Sequence, residues 1–458
     1  MAVEAAFMVP HPPMIIPEVG GGRERDIQTT IDSYLRIAKE IGEIKPDTII
    51  ISSPHTVLYS DYFHISSKEI ITGDLSIFGA KNISFNEKVD MKFVRKIEEF
   101  AKNENLPIGM LDDDNELDHG SMIPLYFIRK YLKDYQIVIL GLSALPFSKH
   151  YEIGKLIQRV SEDLNRRVVY VASGDLSHKL QEYGPYGFVK EGPIYDDKIM
   201  SIMRDAKFLE LLEFDNHIRE RASECGHRSF IMMAGALDGI EVKSLEYSHE
   251  DITGVGYGIC SYYPLGKDPS RKFLNQYLEN VKTKIKAHPK DDYIDLARKS
   301  ITSYIERNEI IPVPSELPNE MTLEKAGVFV SLHEEGSLRG CIGTISPVTN
   351  CIAEEIIRNA IESATNDPRF SSVTKEEIPY LEISVDVLKA PENISSINEL
   401  DTSRYGVIVT SGYKRGLLLP NIDGVDTVEE QVKIAKSKGN ITDYEDIKLQ
   451  RFEVIRHK

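Results

Sequence analysis

The chain has 458 residues, and at about 150 residues per domain that length predicts two or three domains, each able to bury a core. Apolar residues make up 41% and charged residues 28%, with 22 Tyr, 16 Phe and no Trp, a balance that excludes a mainly disordered or fibrous chain. Fifty-five Lys plus Arg against 72 Asp plus Glu leave a formal charge of -17, which repels phosphate backbones and anionic lipid surfaces and argues against nucleic acid or membrane as a partner.

The opening segment MAVEAAFMVPHPPMIIPEVGGG has no basic start, and Pro10, His11, Pro12 and Pro13 break it before signal-peptide length. No later run of about 18 apolar residues suggests a membrane span. Cys225, Cys260, Cys341 and Cys351 are too few and scattered for a disulfide framework, so a reducing cytoplasmic location is expected. Short, uncharged, β-branched strands are expected at residues 3–9, 48–52, 137–142 and 168–172. Residues 26–43, 86–105, 121–135 and 152–165 carry apolar residues at helical spacing. This alternation predicts an α/β fold with a mostly parallel central sheet and helices on both faces. Residues 241–247 and 256–263 read as two further strands. The apolar GYGICSYYPL then gives way to the polar GKDPSRK, which predicts a first domain over 1–266, a linker over 267–273 and a second domain over 274–458. That second domain reads as a smaller α+β unit, with helices at 293–309 and 351–364 and strands at 326–333, 383–388 and 405–410.

Nine of the twelve histidines precede residue 266, so the halves differ in chemistry. His11 follows the first strand, His55 follows the second in TIIISSPHT, and His178 follows another in VVYVASGDLSH. Strand carboxyl ends form the ligand-binding rim of open α/β sheets, where these three side chains can converge. A single strand-end histidine is more often a hydrogen-bonded structural group, and three at equivalent positions point towards a site. A second cluster, Glu224, Cys225 and His227 in ASECGHRSF, precedes an apolar helical segment. Alone, Glu224 there would complement a helix dipole. Together with His11 and His55 it makes two imidazoles and a carboxylate, the set that holds Fe(II) on one face and leaves positions open for substrate and O₂.

The segments MVPHPPMIIPEVG, SSPHT, LDHGSMIPL, SGDLSH and SECGHRS, in this order, resemble the class III extradiol ring-cleavage dioxygenases, the LigB superfamily that includes the Memo-like proteins. The resemblance covers about the first 260 residues. It implies Fe(II) bound by His11, His55 and Glu224, His178 as acid/base and His119 as a second proton handler lining the pocket, acting on a catechol-like aromatic small molecule and O₂. An imidazole with a pKa near 6.5 suits that proton transfer at cytoplasmic pH. For His119 the competing reading is a neighbour of the helix N-cap. Memo-like relatives carry a cysteine near the carboxylate position, and here Glu224 and Cys225 are adjacent. A slip of one residue would exchange a hard ligand for a thiolate and favour copper or zinc over iron. Glu224 is the expected ligand, on its spacing to Gly235-Ala236-Leu237.

The second half resembles the AMMECR1 domain over roughly 274–458, through LRGCIGT (338–344), NDPRF (366–370) and GLLLPNIDGV (416–425). Arg339 and Cys341, flanking Gly340, could make a small cationic thiol site, but a tight turn with an apolar, buried Cys341 is the preferred reading. Cys351 reads as core. Chains pairing these two domains are similar to one component of the AmmeMemoRadiSam group, which implies a separate radical SAM partner, since this chain has no CxxxCxxC motif. The alternatives to a ring-cleaving enzyme are therefore a non-oxygenase Memo-like metal-binding module, or a zinc-dependent hydrolase at the same site. Assembly into a homo-oligomer is left open.

Overall fold

The computed structural model describes residues 3–111, 116–422 and 424–458. It divides between Asn280 and Val281 into two compact units.

In the first unit the chain forms β1 (Val3–Val9), β2 (Thr48–Ser53), β3 (Phe63–Ser66), β4 (Ile70–Leu75), β5 (Ala80–Lys88), β6 (Ile108–Leu111), β7 (Gln136–Gly141), β8 (Val168–Ser173), β9 (Ile240–Glu250) and β10 (Tyr257–Lys267). Eight of these build one sheet in the order β6-β3-β7-β2-β8-β1-β10-β9, while β4 and β5 form a separate hairpin. The central neighbours β7, β2, β8 and β1 run parallel. Their sequences are almost wholly buried, as continuous β-branched runs covered on both faces should be. Strands β10 and β9 close one side antiparallel. Helices flank the sheet: Gln28–Ile44 packs on His119–Ile128, and Phe147–Asp163 packs on both Met91–Glu104 and His227–Ala236.

The mostly parallel α/β architecture is as expected, and several local boundaries differ. Residues 86–88 belong to β5, where Ile83, Phe85 and Glu87 alternate inward, so a two-residue period prevailed over the helical spacing read across them. The helix starts only at Met91, where the Asp90 side chain accepts from the Phe93 N–H. The helix expected over 121–135 is His119–Ile128, capped by Asp118, and β3, β4 and β6 lie where no strand was expected.

The expected linker is bonded into the first unit. Strand β10 runs to Lys267, Arg271 donates to the carbonyls of Ile240 (2.8 Å) and Ala206 (2.9 Å), and the Phe273 N–H donates to Asp238 (3.2 Å). The division between units accordingly falls later, within the helix Phe273–Ala287.

The second unit is α+β. Strands β11 (Val328–Glu334), β12 (Ser337–Gly343), β13 (Leu381–Leu388) and β18 (Val454–His457) form one antiparallel sheet. A second sheet is built from β14 (Glu392–Ile394), β15 (Gly406–Ser411), β16 (Lys414–Leu418) and β17 (Lys448–Phe452). Helices Asp292–Arg307 and Ile352–Thr365 cover one face of the first sheet, joining Leu296, Ile301, Ile356 and Ala360 to Val328, Val330, Leu332, Ile383 and Val385. Cys351 is buried in this core, as expected. Among the described residues no helix is long and apolar enough to cross a membrane.

Candidate metal centre

Histidines from three chain segments meet at the carboxyl ends of the central strands. His11 lies two residues past β1 and is buried; His55 lies two residues past β2. Their Nε2 atoms face each other at 2.9 Å. His119, the first residue of its helix, puts its ring centroid 4.0 Å from that of His55 and 5.3 Å from that of His11. Thus His119 is both next to the Asp118 cap and part of the cluster.

The tautomer of His11 follows from its neighbours. Ser173 at the end of β8 gives its single hydroxyl proton to the Gly120 carbonyl (2.6 Å), so it accepts from His11 Nδ1 at 2.9 Å. With Nδ1 protonated, His11 Nε2 presents a lone pair to the cluster, as metal-binding imidazoles do when the other nitrogen is held by a hydrogen bond.

The third donor is where sequence and structure part. Glu224 does not join the histidines: one carboxylate oxygen accepts from Arg219 (3.2 Å) and the other from the His227 N–H (2.6 Å), at the start of the helix His227–Ala236. It serves there as an ion-paired helix-terminus acceptor, the role first weighed for it alone. Cys225 turns in instead, with Sγ 3.5 Å from His11 Nε2. The donor atoms of His11, His55 and Cys225 all lie within 4.8 Å of one another. The one-residue slip therefore lands on the thiol. His227, the other candidate in that segment, is a buried structural group between the Tyr195 hydroxyl (3.2 Å) and the Leu211 carbonyl (3.0 Å).

Two glycines make that approach sterically feasible. A Cβ on Gly174 would strike the Gly226 backbone and one on Gly226 would strike the Phe230 ring, so glycine at both positions lets the β8 loop touch the Cys225 loop. The contact brings in Asp175, which the sequence reading missed although it sits in SGDLSH, three residues before His178. Its carboxylate accepts from the His11 N–H (2.7 Å), its own N–H points at Cys225 Sγ (3.2 Å), and its other oxygen is 4.0 Å from His11 Nε2.

Electrostatics keeps the imidazoles of this pocket in their neutral, basic form. Burial, then His55, His119 and His178, holds His11 well below the usual histidine range. Burial also lowers His55, with Asp118 opposing. Burial and His55 take His119 and His178 down to about 4 each. Neutral imidazoles carry the lone pairs that a metal needs. Burial pushes the Asp175 carboxyl up to about 7 and the Cys225 thiol well above its ordinary value, with Asp175 adding to the latter. Two soft-to-intermediate nitrogens and a sulfur, packed together without an internal cation, fit a transition metal, whose charge would favour both anions. His178 is near but separate: its Nε2 is buried with no hydrogen-bond partner among the described residues, and Tyr186 stacks on its ring (5.3 Å between centroids). Phe78 stands edge-on to His119 at 5.5 Å.

In the second unit, Arg339 does not accompany Cys341. It pairs with Glu377 (Nε to Oε1, 2.6 Å) and donates to the Ser371 carbonyl (2.8 Å). Nor is Cys341 buried core, because it is partly exposed.

The class of protein follows from this α/β fold, at whose strand ends His11, His55 and Cys225 form a group that could hold a metal. Residues 5–260 match the family described as the catalytic LigB subunit of aromatic ring-opening dioxygenase, a metal-dependent family, and the chain belongs to it. Residues 294–457 match the AMMECR1 family. A protein of Clostridium acetobutylicum is 42% identical over 467 residues, covering 100% of both chains. One of Thermotoga maritima is 46% identical over 173 residues, 37% of this chain and 98% of its own. The crystal structure of an uncharacterized protein from Pyrococcus horikoshii shares 33% identity over 36% of this chain and 91% of that one, with a TM-score of 0.34.

Proposed function

We propose that the first unit is a metal-dependent enzyme of the ring-opening type, acting on a small aromatic molecule with adjacent hydroxyls, with O₂ as co-substrate. The observation that carries this reading is His178, a neutral base with a buried, unpartnered Nε2 beside the donor set of His11, His55 and Cys225. When bound, the metal would lower the pKa of coordinating hydroxyls and hold them in place. His178 accepts a hydroxyl proton at Nε2 and later returns it, and its low affinity for protons keeps it in the receiving form at neutral pH. His119 holds a second proton position. Phe78 and Tyr186, each against one of these imidazoles, offer aromatic walls to a planar ring. Fe(II) is the metal of the oxygenase reading.

A second reading rests on Cys225. A thiolate in place of a carboxylate favours zinc or copper, and with it a non-oxygenase Memo-like module working with a radical SAM partner, or a zinc-dependent hydrolase. Metal analysis after anaerobic purification, followed by oxygen uptake over a panel of catechols with Fe(II) restored, separates the two. Catechol-dependent uptake is expected. Full Fe(II) occupancy with no uptake on any member would turn the assignment to the second reading.

A further inference from the structure

Separate segments of the second unit gather around one thiol, and a third packs on the helix whose last residue is Lys438. In LRGCIGT, Cys341 on β12 lies opposite Ser331 on β11, whose hydroxyl donates to its Sγ at 3.2 Å. Val330 and Leu332 point into the core, so Ser331 faces the other way; Gly340 abuts the Ser363 carbonyl, so Cys341 likewise turns from the helix Ile352–Thr365. In NDPRF, Asp367 accepts from the Cys341 N–H (2.8 Å), and Arg369 donates to the Cys341 carbonyl (3.2 Å) while pairing with Asp367 (2.7 Å). In the third segment, Gly416 on β16 packs against the Ala435 carbonyl near the end of the helix Val428–Lys438; Asp423 of that segment lies outside the described residues. This helix ends in Lys438, which forms no ion pair among the described residues. Its ammonium is lowered by partial burial, raised by Cys341 and lowered by Arg369, so all three groups share one neighbourhood.

We propose that Cys341, Ser331, Arg369 and Lys438 form a second site, where a thiol captures a small electrophile bearing a carboxylate, such as an oxo acid. Lys438, which has no ion pair among the described residues, is the cation that attracts the carboxylate, since Arg369 is largely satisfied by Asp367. The sulfur adds to the carbonyl carbon: an S–C bond forms, the C=O π pair moves to oxygen, and that oxygen takes the proton the thiol gives up. Ser331 lies beside the sulfur, where its hydroxyl can bond the new oxygen. No oxidant or reductant is needed. The site rests on none of the metal-binding residues, so it stands or falls apart from the function proposed above.

The probes are iodoacetate, which is anionic, and iodoacetamide, its neutral counterpart, applied to the full chain with the rate at Cys341 read by peptide mass spectrometry. Relative to the same ratio for glutathione, the iodoacetate to iodoacetamide rate ratio at Cys341 is expected to be about fivefold higher, the effect of one opposite charge at roughly 4 Å in water. It should fall to the glutathione value in Lys438→Gln and stay high in Lys436→Gln. Glyoxylate should slow the labelling, and acetaldehyde should not. A ratio equal to that of glutathione, indifference to Lys438→Gln, a Cys341 that neither reagent reaches, or equal protection by both aldehydes would overturn the proposal.

Discussion

The two units gather cysteine in opposite electrostatic settings. Around Cys225 the first unit collects imidazoles that burial keeps neutral and a carboxyl that burial pushes up to about 7, so the pocket is short of positive charge. Around Cys341 the second unit collects Arg369 and Lys438 at a partly exposed strand face. A cysteine surrounded by lone pairs fits a metal ligand; one flanked by cations fits an anion-seeking nucleophile. The same residue type thus divides into two chemistries according to what the fold places beside it.

The comparison breaks most visibly at the metal. His11→Ala, His55→Ala and Cys225→Ala should each lose bound metal by elemental analysis, whereas Cys341→Ala should keep it. Glu224→Gln should retain metal and instead lower the unfolding free energy, because buried Arg219 loses one of its two carboxylates and keeps only Glu220. Metal lost in Glu224→Gln at unchanged stability would restore the carboxylate as ligand.

A smaller effect separates binding from proton transfer within the first unit. His178→Gln should keep metal but lower turnover by about 10²- to 10⁴-fold on the best catechol. If metal leaves with His178, the residue is a ligand and the proposed division of roles fails.

The smallest effect tests the anchoring of the cationic site. Burial pushes Asp367 up, but Arg369 and the N–H groups of Cys341 and Arg369 outweigh it and hold the carboxyl at about 2. Its folded pKa lies below the unfolded value of about 3.9. Its contribution to stability is therefore complete above that value and is lost as pH falls towards 2. Thermal unfolding between pH 7 and pH 2.5 should show wild type and Asp367→Asn converging on the acidic side, and parallel curves would remove Asp367 as an ionised anchor.

Much of the core was legible in the chain because period and polarity are local. The buried runs of β1, β2, β7 and β8 declare themselves, and each precedes or contains a segment that ends at the strand rim, which is why His11, His55 and His178 could be named together. The edge elements were less legible: β3 and β6 are four residues each, too short for an alternation to register. Asp175 and Ser173 escaped notice because their importance lies in partners over 160 residues away, the N–H and Nδ1 of His11.

The sequence by itself determined the two-part composition, the parallel sheet and the histidines of its rim, since each follows from local patterns of apolar and turn residues. Only the tertiary structure decided between Glu224 and Cys225, and between Arg339 and the pair Arg369 and Lys438. Neighbouring residues in a loop can point in opposite directions, and which one enters a pocket depends on contacts made by distant chain: Arg219 and the helix start draw Glu224 away, the meeting of Gly174 with Gly226 carries Cys225 in, and Glu377 claims Arg339 before it can reach the thiol.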